Sequence, residues 1–144
     1  MPSLNRSLNV IGRCGTLYRA SRLEGTGVDP FNYFYLFYIC RHPGASQEEL
    51  CRALYVNKSS VTRHLSRLEE AGFLTRTPDP ADRRSLLVTP TEQAIALLPA
   101  LREVGGSWKA LLTADFTEEE TLLFENLLQR AMENAQNAIK EETE

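Results

Sequence analysis

The stretch that most restricts the fold runs from Ser46 to Thr89. Two short helical patterns, separated by "YVN", lead without a linker into two strand-like runs. Residues 46–49, "SQEE", form a capping box, in which the serine and the glutamate three residues later satisfy free N–H groups at a helix start. That helix is expected to run to about Leu54. Asn57 is a second N-cap, opening "KSSVTRHLSRLEEAG", and Gly72 is placed to end it. After Gly72 the period changes from helical to alternating. "FLTRT" and "SLLVT" read as strands joined by the loop "PDPADRR", and therefore as a hairpin. Two tightly joined helices followed at once by a hairpin predict a winged helix-turn-helix.

On the second helix Val61, Leu65 and Leu68 share one stripe, which should anchor it. The opposite side carries Ser59, Arg63 and Ser66, flanked by Ser60, Thr62 and Arg67. Small hydroxyl side chains allow close approach to a groove, and arginines offer paired donors to guanine edges or phosphates. Lys58 and Ser59 stand at the amino end, where free N–H groups favour phosphate. An ordinary solvated face competes with this reading, but such faces mix both charge signs, and from Arg52 to Arg67 no acid occurs. In the loop, Pro78 and Pro80 restrict the backbone ahead of Arg83 and Arg84. Asp82, two residues before Arg84, is placed to aim its guanidinium at a narrow minor groove. The alternative is a surface Asp–Arg pair contributing at most about 1 kcal/mol.

The rest of the chain reads as helix. Leu4 to Glu24 carries Leu4, Leu8, Ile11 and Tyr18 at helical spacing, with Leu17 beside them, and ends at "GTG". Asp29-Pro30 reads as an N-cap and first helical residue for the aromatic helix "FNYFYLFYIC", which should stop near His42-Pro43. Thr89 and Glu92 form a possible capping box, with Pro90 inside it, for a long helix. Pro99 should kink that helix and Gly105-Gly106 bend or interrupt it. Thr117 to Glu120 is a further box, ahead of a helix bearing Phe124, Leu127, Leu128, Ala131, Met132 and Ala135. The expected class is mainly α (α+β), a winged helix-turn-helix with long terminal dimerisation helices. Its parts are an N-terminal helix over 1–28, a DNA-binding lobe over 29–92 with its wing at 73–89, and linking and C-terminal helices over 93–144. The terminal helices are more apolar than a compact lobe needs, so a second copy of the chain is the economical partner. An intramolecular bundle is the competing arrangement.

Chemistry-bearing signals are few. Net charge is −3, but a basic middle faces an acidic tail from Asp115 to Glu144, so the total is a poor guide to partners. Cys14, Cys40 and Cys51 have no C-x-x-C spacing, which argues against disulfides and zinc; they are expected to be reduced and mostly buried. His42 and His64 make no metal-ligand pattern, and no nucleophile–base constellation or phosphate-cradling loop occurs, so neither a cofactor nor enzymatic chemistry is expected. With no signal-peptide block and no membrane-spanning run, a cytoplasmic protein is the default. Tyr33, Phe34 and Phe37, with Tyr18 and Arg22 nearby, are candidates to line an aromatic-ligand pocket; core and dimer packing is the other use for these rings.

The run "GASQEELCRALYVNKSSVTRHLSRLEEAGFLTRTPDPADRRSLLVTPTE" resembles the MarR family of winged-helix transcription regulators. "DPADRRSLLVTPTE" is similar to the family's wing signature and "KSSVTRHLSRLEEAGFL" to its recognition helix. The chain differs at Pro90, where an aliphatic residue is common, and at Ala94, where glycine is common. The resemblance implies a homodimer, most often a repressor, whose wings straddle a palindromic duplex DNA site. It makes Arg84 the minor-groove arginine, Asp82 its orienting partner, and Lys58, Ser59, Ser60, Thr62 and Arg63 parts of the major-groove face. It further implies a small phenolic or aromatic anion as effector, or alternatively redox sensing through Cys14 in the first helix. A winged-helix module that binds a protein is the remaining alternative.

Overall fold

The computed structural model describes residues 3–143; Met1, Pro2 and the tail acid Glu144 lie outside that description, as do the side chains of residues 141–143, with those of the tail acids Glu141 and Glu142 among them. Six helices and three strands follow in the order α1 (Leu4–Arg22), α2 (Tyr33–Arg41), β1 (Ala45–Ser46), α3 (Gln47–Leu54), α4 (Lys58–Glu70), β2 (Leu74–Pro78), β3 (Leu86–Pro90), α5 (Glu92–Leu112) and α6 (Glu118–Thr143). They fall into two compact units, one ending at Trp108 and the other beginning at Lys109, so that α5 supplies both. The boundary lies inside the expected 93–144 segment.

The first unit is organised around the helix-turn-helix. Ser46 Oγ accepts from Glu49 N at 3.1 Å to open α3, and Asn57 Oδ1 accepts from Ser60 N at 2.8 Å to open α4. Gly72, at φ +85°, follows the last turn of α4 in the left-handed region that only glycine adopts freely. The predicted stripe of Val61, Leu65 and Leu68 is at most 1 % exposed and packs with Leu36, Ile39, Leu50, Phe73 and Val88. The hairpin pairs in register from Leu74 opposite Pro90 to Pro78 opposite Leu86. β1 adds a third antiparallel strand, Ala45 opposite Val88 and Ser46 opposite Leu87, giving the order β1-β3-β2. Nothing in the residue pattern announces so short a strand.

Three helix starts differ from expectation or refine it. Asp29 does not cap α2. Its Oδ1 accepts from Phe31 N at 2.7 Å, closing a turn that holds Pro30, and the helix begins three residues later behind Asn32. Asn32 lends no side-chain cap, because its Oδ1 is held 2.5 Å from His64 Nδ1. Thr89 does not cap α5. Strand β3 continues through Pro90, tolerated at the strand's last position beyond the reach of β1. Thr91 takes the capping role two residues on: its Oγ1 accepts from Ala94 N at 3.3 Å and donates to Gly72 O at 2.7 Å. α5 then stays helical through Pro99 and Gly105-Gly106, so the glycine pair does not interrupt it. The third box is reciprocal as expected, Thr117 N to Glu120 Oε2 at 2.8 Å and Glu120 N to Thr117 Oγ1 at 3.2 Å.

In the second unit α6 has no buried residue among those whose side chains are described; Leu122, Leu123, Leu127, Leu128, Met132 and Ile139 all remain exposed. A Lys109–Glu125 ion pair of 2.6 Å links α5 to α6 within this unit, and an edge-on Phe116–Phe124 contact packs their connection against α6. In α1, Leu4, Leu8, Val10, Ile11 and Leu17 are exposed as well. No helix among the described residues is long and apolar enough to cross a membrane.

Candidate nucleic-acid interface

The cationic helix and the arginine-tipped loop are displayed by one sheet-and-helix frame. On α4, Lys58, Ser59, Thr62, Arg63 and Arg67 are exposed, and Ser60 and Ser66 are half-buried. Thr62 Oγ1 donates to Lys58 O at 2.9 Å and Ser66 Oγ to Thr62 O at 2.9 Å, which fixes both hydroxyls in the helix's own groove. His64 sits on the flank, stacked on Tyr35 with ring centroids 4.7 Å apart. Burial pushes its pKa down, and Arg63 and Arg67 lower it further against the opposing pull of Asp29.

The wing loop is built by its aspartates. Asp79 Oδ1 accepts from Ala81 N at 2.9 Å and Asp82 Oδ1 from Arg84 N at 3.1 Å, two successive turns closed by short polar side chains. Asp79 N donates to Ser85 O and Ser85 N to Asp82 O, each at 2.9 Å. Asp82 therefore reaches Arg84 through its backbone N–H, where the sequence suggested a bond to its guanidinium. Arg83 and Arg84 are exposed, and neither guanidinium has an ion-pair or hydrogen-bond partner among the described residues. Ser85 Oγ donates to Glu48 Oε2 at 3.0 Å, tying the base of the loop to the first turn of α3. Glu48 is held below the usual carboxylate range by a bond to its own backbone N–H and then by Ser85.

Arg76 on β2 is a residue that the sequence did not single out. Its Nη2 donates to Glu69 Oε1 at 3.1 Å and to Ser66 Oγ at 3.2 Å, and its Nη1 to Gln47 Oε1 at 3.4 Å. Its backbone N donates to Glu69 Oε2 at 3.0 Å. The guanidinium beside it holds the Glu69 carboxyl below its ordinary range.

A second feature lies elsewhere in the first unit. A cleft of about 420 Å³ is lined by Ile11, Gly15, Arg19, Tyr33, Phe34, Gly105 and Trp108, among others. Of the expected pocket residues, Tyr33 and Phe34 are there. Tyr18 and Arg22 stack on each other (5.0 Å), and Phe37 packs against Tyr33 and under Arg41 instead. Arg19, not Arg22, is the pocket's cation. Its guanidinium lies 4.7 Å from the Phe34 ring centroid and 5.7 Å from that of Tyr33. Burial lowers its pKa, partly offset by Tyr33, and its buried Nε has no hydrogen-bond partner among the described residues. Tyr33 OH donates to Leu101 O at 2.8 Å, and a Cβ on Gly105 would stand 2.7 Å from the Tyr33 hydroxyl, so glycine makes the room.

The cysteines are less hidden than expected: Cys14 is exposed, and Cys40 and Cys51 are half-buried. No cluster of metal-ligating side chains occurs among the described residues.

A family model described as the MarR family matches residues 26–85. Over 136 residues the chain is 31% identical to YybA, an HTH-type transcriptional regulator of Bacillus subtilis strain 168, covering 93% of this chain and 89% of that protein. A crystal structure of MarR superposes with a TM-score of 0.87 at 32% identity, covering 97% of this chain and 95% of the other. A MarR family regulator from Listeria monocytogenes, solved with a 26mer DNA, shares the fold with a TM-score of 0.89 at 23% identity over 96% and 92% of the two chains. A cationic helix beside a tied wing is thus set in a frame shared almost end to end with such regulators, which are not enzymes, and the chain belongs to the MarR family of DNA-binding helix-turn-helix transcriptional regulators.

Proposed function

We propose that the chain acts in the cytoplasm as a homodimer on a palindromic operator, with α4 of each copy in the major groove and each wing loop at the minor groove. The observation that carries this is the state of the cations: Arg63, Arg67, Arg83 and Arg84 are exposed with no ion-pair partner among the described residues, whereas the nearest acid on α4, Glu69, is neutralised by Arg76. In this reading Lys58, Ser59, Ser60, Thr62, Arg63, Ser66 and Arg67 serve the groove-facing side, Arg84 enters the minor groove with Arg83 beside it, and Asp82 sets the loop. α1 and α6 each expose apolar side chains that a second copy would cover. The Listeria relative solved with DNA supports the class of ligand. The test is the salt dependence of duplex binding. Affinity should fall steeply and linearly in a log–log plot as phosphate counterions are released. Weak, salt-insensitive binding would favour the protein-interaction alternative.

A second reading concerns regulation, and a repressor released by a small aromatic anion fits it. The partnerless buried Nε of Arg19, between aromatic rings, suits a planar carboxylate. Trp108 lines the same cleft and supplies the probe. Benzoate should change Trp108 emission saturably, benzamide should not, and Arg19→Met should abolish the response. Equal responses to both compounds would remove the carboxylate assignment.

A further inference from the structure

Most cations of the interface face solvent, but Arg76 does not. Its side chain is only 17 % exposed. Its hydrogen bonds join three elements: from β2, where the arginine stands, to Gln47 at the start of α3 and to Ser66 and Glu69 near the end of α4. Both oxygens of Glu69 are used on this one residue, one by the guanidinium and one by the backbone N–H. Gln47 is a buried polar side chain, and a buried acceptor needs a donor. A planar fork can serve three acceptors in fixed directions, which the point charge of a lysine cannot.

We propose that Arg76 is a positioning residue for DNA recognition, locking the wing to both helices of the helix-turn-helix and holding the Glu69 charge away from the phosphates. The inference rests on the DNA-binding reading above. Along α4 the charges run Lys58, Arg63, Arg67 and then Glu69. A free carboxylate one turn from the cationic face would repel the duplex. Bonded twice to Arg76, it becomes part of the frame. The same bonds fix where β2 leaves α4, and hence where the loop at 79–85 presents Arg84 relative to Arg63.

The experiment uses the full chain and a duplex enriched from random sequence by the wild-type protein. Arg76→Met, Arg76→Lys and the double variant Arg76→Met with Glu69→Gln are compared for affinity across a salt series. Amide exchange of the hairpin is measured in the free proteins. Arg76→Met should weaken binding on the order of tenfold, the scale of a lost charge-assisted bond, with the salt slope unchanged. Arg76→Lys should resemble it. Adding Glu69→Gln should recover part of the loss, because the freed carboxylate is gone. Hairpin amides should exchange faster in both single variants.

A slope lower by about one would make Arg76 a phosphate contact and overturn the inference. So would wild-type affinity in Arg76→Lys, no recovery in the double variant, or unchanged hairpin exchange. Should Arg76→Met fail to fold, Arg76→Lys carries the same readings. If the wild-type protein enriches no duplex, the DNA reading falls, while the exchange measurement still decides whether Arg76 locks the wing.

Discussion

Helices α4 and α6 are both amphipathic, yet they meet opposite fates in a single chain. The apolar stripe of α4 is at most 1 % exposed under α2, α3 and the sheet, whereas Leu123, Leu127, Leu128 and Met132 of α6 are 44–59 % exposed. Lys58, Arg63 and Arg67 of α4 face solvent, and so do Leu123, Leu127, Leu128 and Met132 of α6. A stripe that its own chain covers fixes a helix so that its other face can act. A stripe left bare makes the helix itself an adhesive surface. The lobe is packed by its own chain, and α6 carries the surface to which the proposed second copy would bind.

The strongest way to break this contrast is to cut the covered stripe. Leu65→Ala should cost about 2–5 kcal/mol of stability in urea unfolding, independent of protein concentration. Charging the bare stripe should act differently. Leu123→Glu with Leu127→Glu should weaken self-association by at least about a hundredfold, near 2.7 kcal/mol, seen by sedimentation, while the lobe keeps its helical signal. On the free face of α4, Arg63→Ala should cost about 1–3 kcal/mol in DNA affinity and relax preference at one base position; a uniform loss over all sequences would make it a phosphate contact.

Arg84→Ala should weaken DNA binding without changing dimer content or melting temperature, and unchanged affinity would remove its minor-groove role. The smallest effect concerns His64. Its folded pKa lies below the unfolded value of about 6.5, so the neutral ring is the stabilising form. That stability is fully present above the unfolded pKa and is lost as pH falls through the folded one. Between about pH 7.5 and about pH 5.5 the melting temperature should fall further in the wild type than in His64→Gln. Equal falls would leave His64 without that role.

What the sequence made legible was local. Ser46, Asn57 and the Thr117–Glu120 pair act over three residues, and each caps where its spacing says. The stripe of α4 follows from period alone, and the existence of the hairpin, though not its register, from the change of period after Gly72. What escaped depends on distant partners. Thr91 replaces Thr89 as the cap because β3 extends through Pro90 and Thr91 is anchored to Gly72, 19 residues away. Strand β1 exists only because β3 lies beside it. Arg76 meets partners 7, 10 and 29 residues away, and nothing in "FLTRT" marks it out. Likewise Arg19 takes the pocket position expected of Arg22, because the cleft is completed by Gly105 and Trp108.

The most direct test of the account is selection of binding sites from random duplexes by the intact protein, followed by a mass measurement of the complex. The account predicts an inverted repeat whose half-sites lie about one helical turn apart, roughly 34 Å, bound by two chains. Enrichment of no sequence, or a single chain on a site without symmetry, would contradict it.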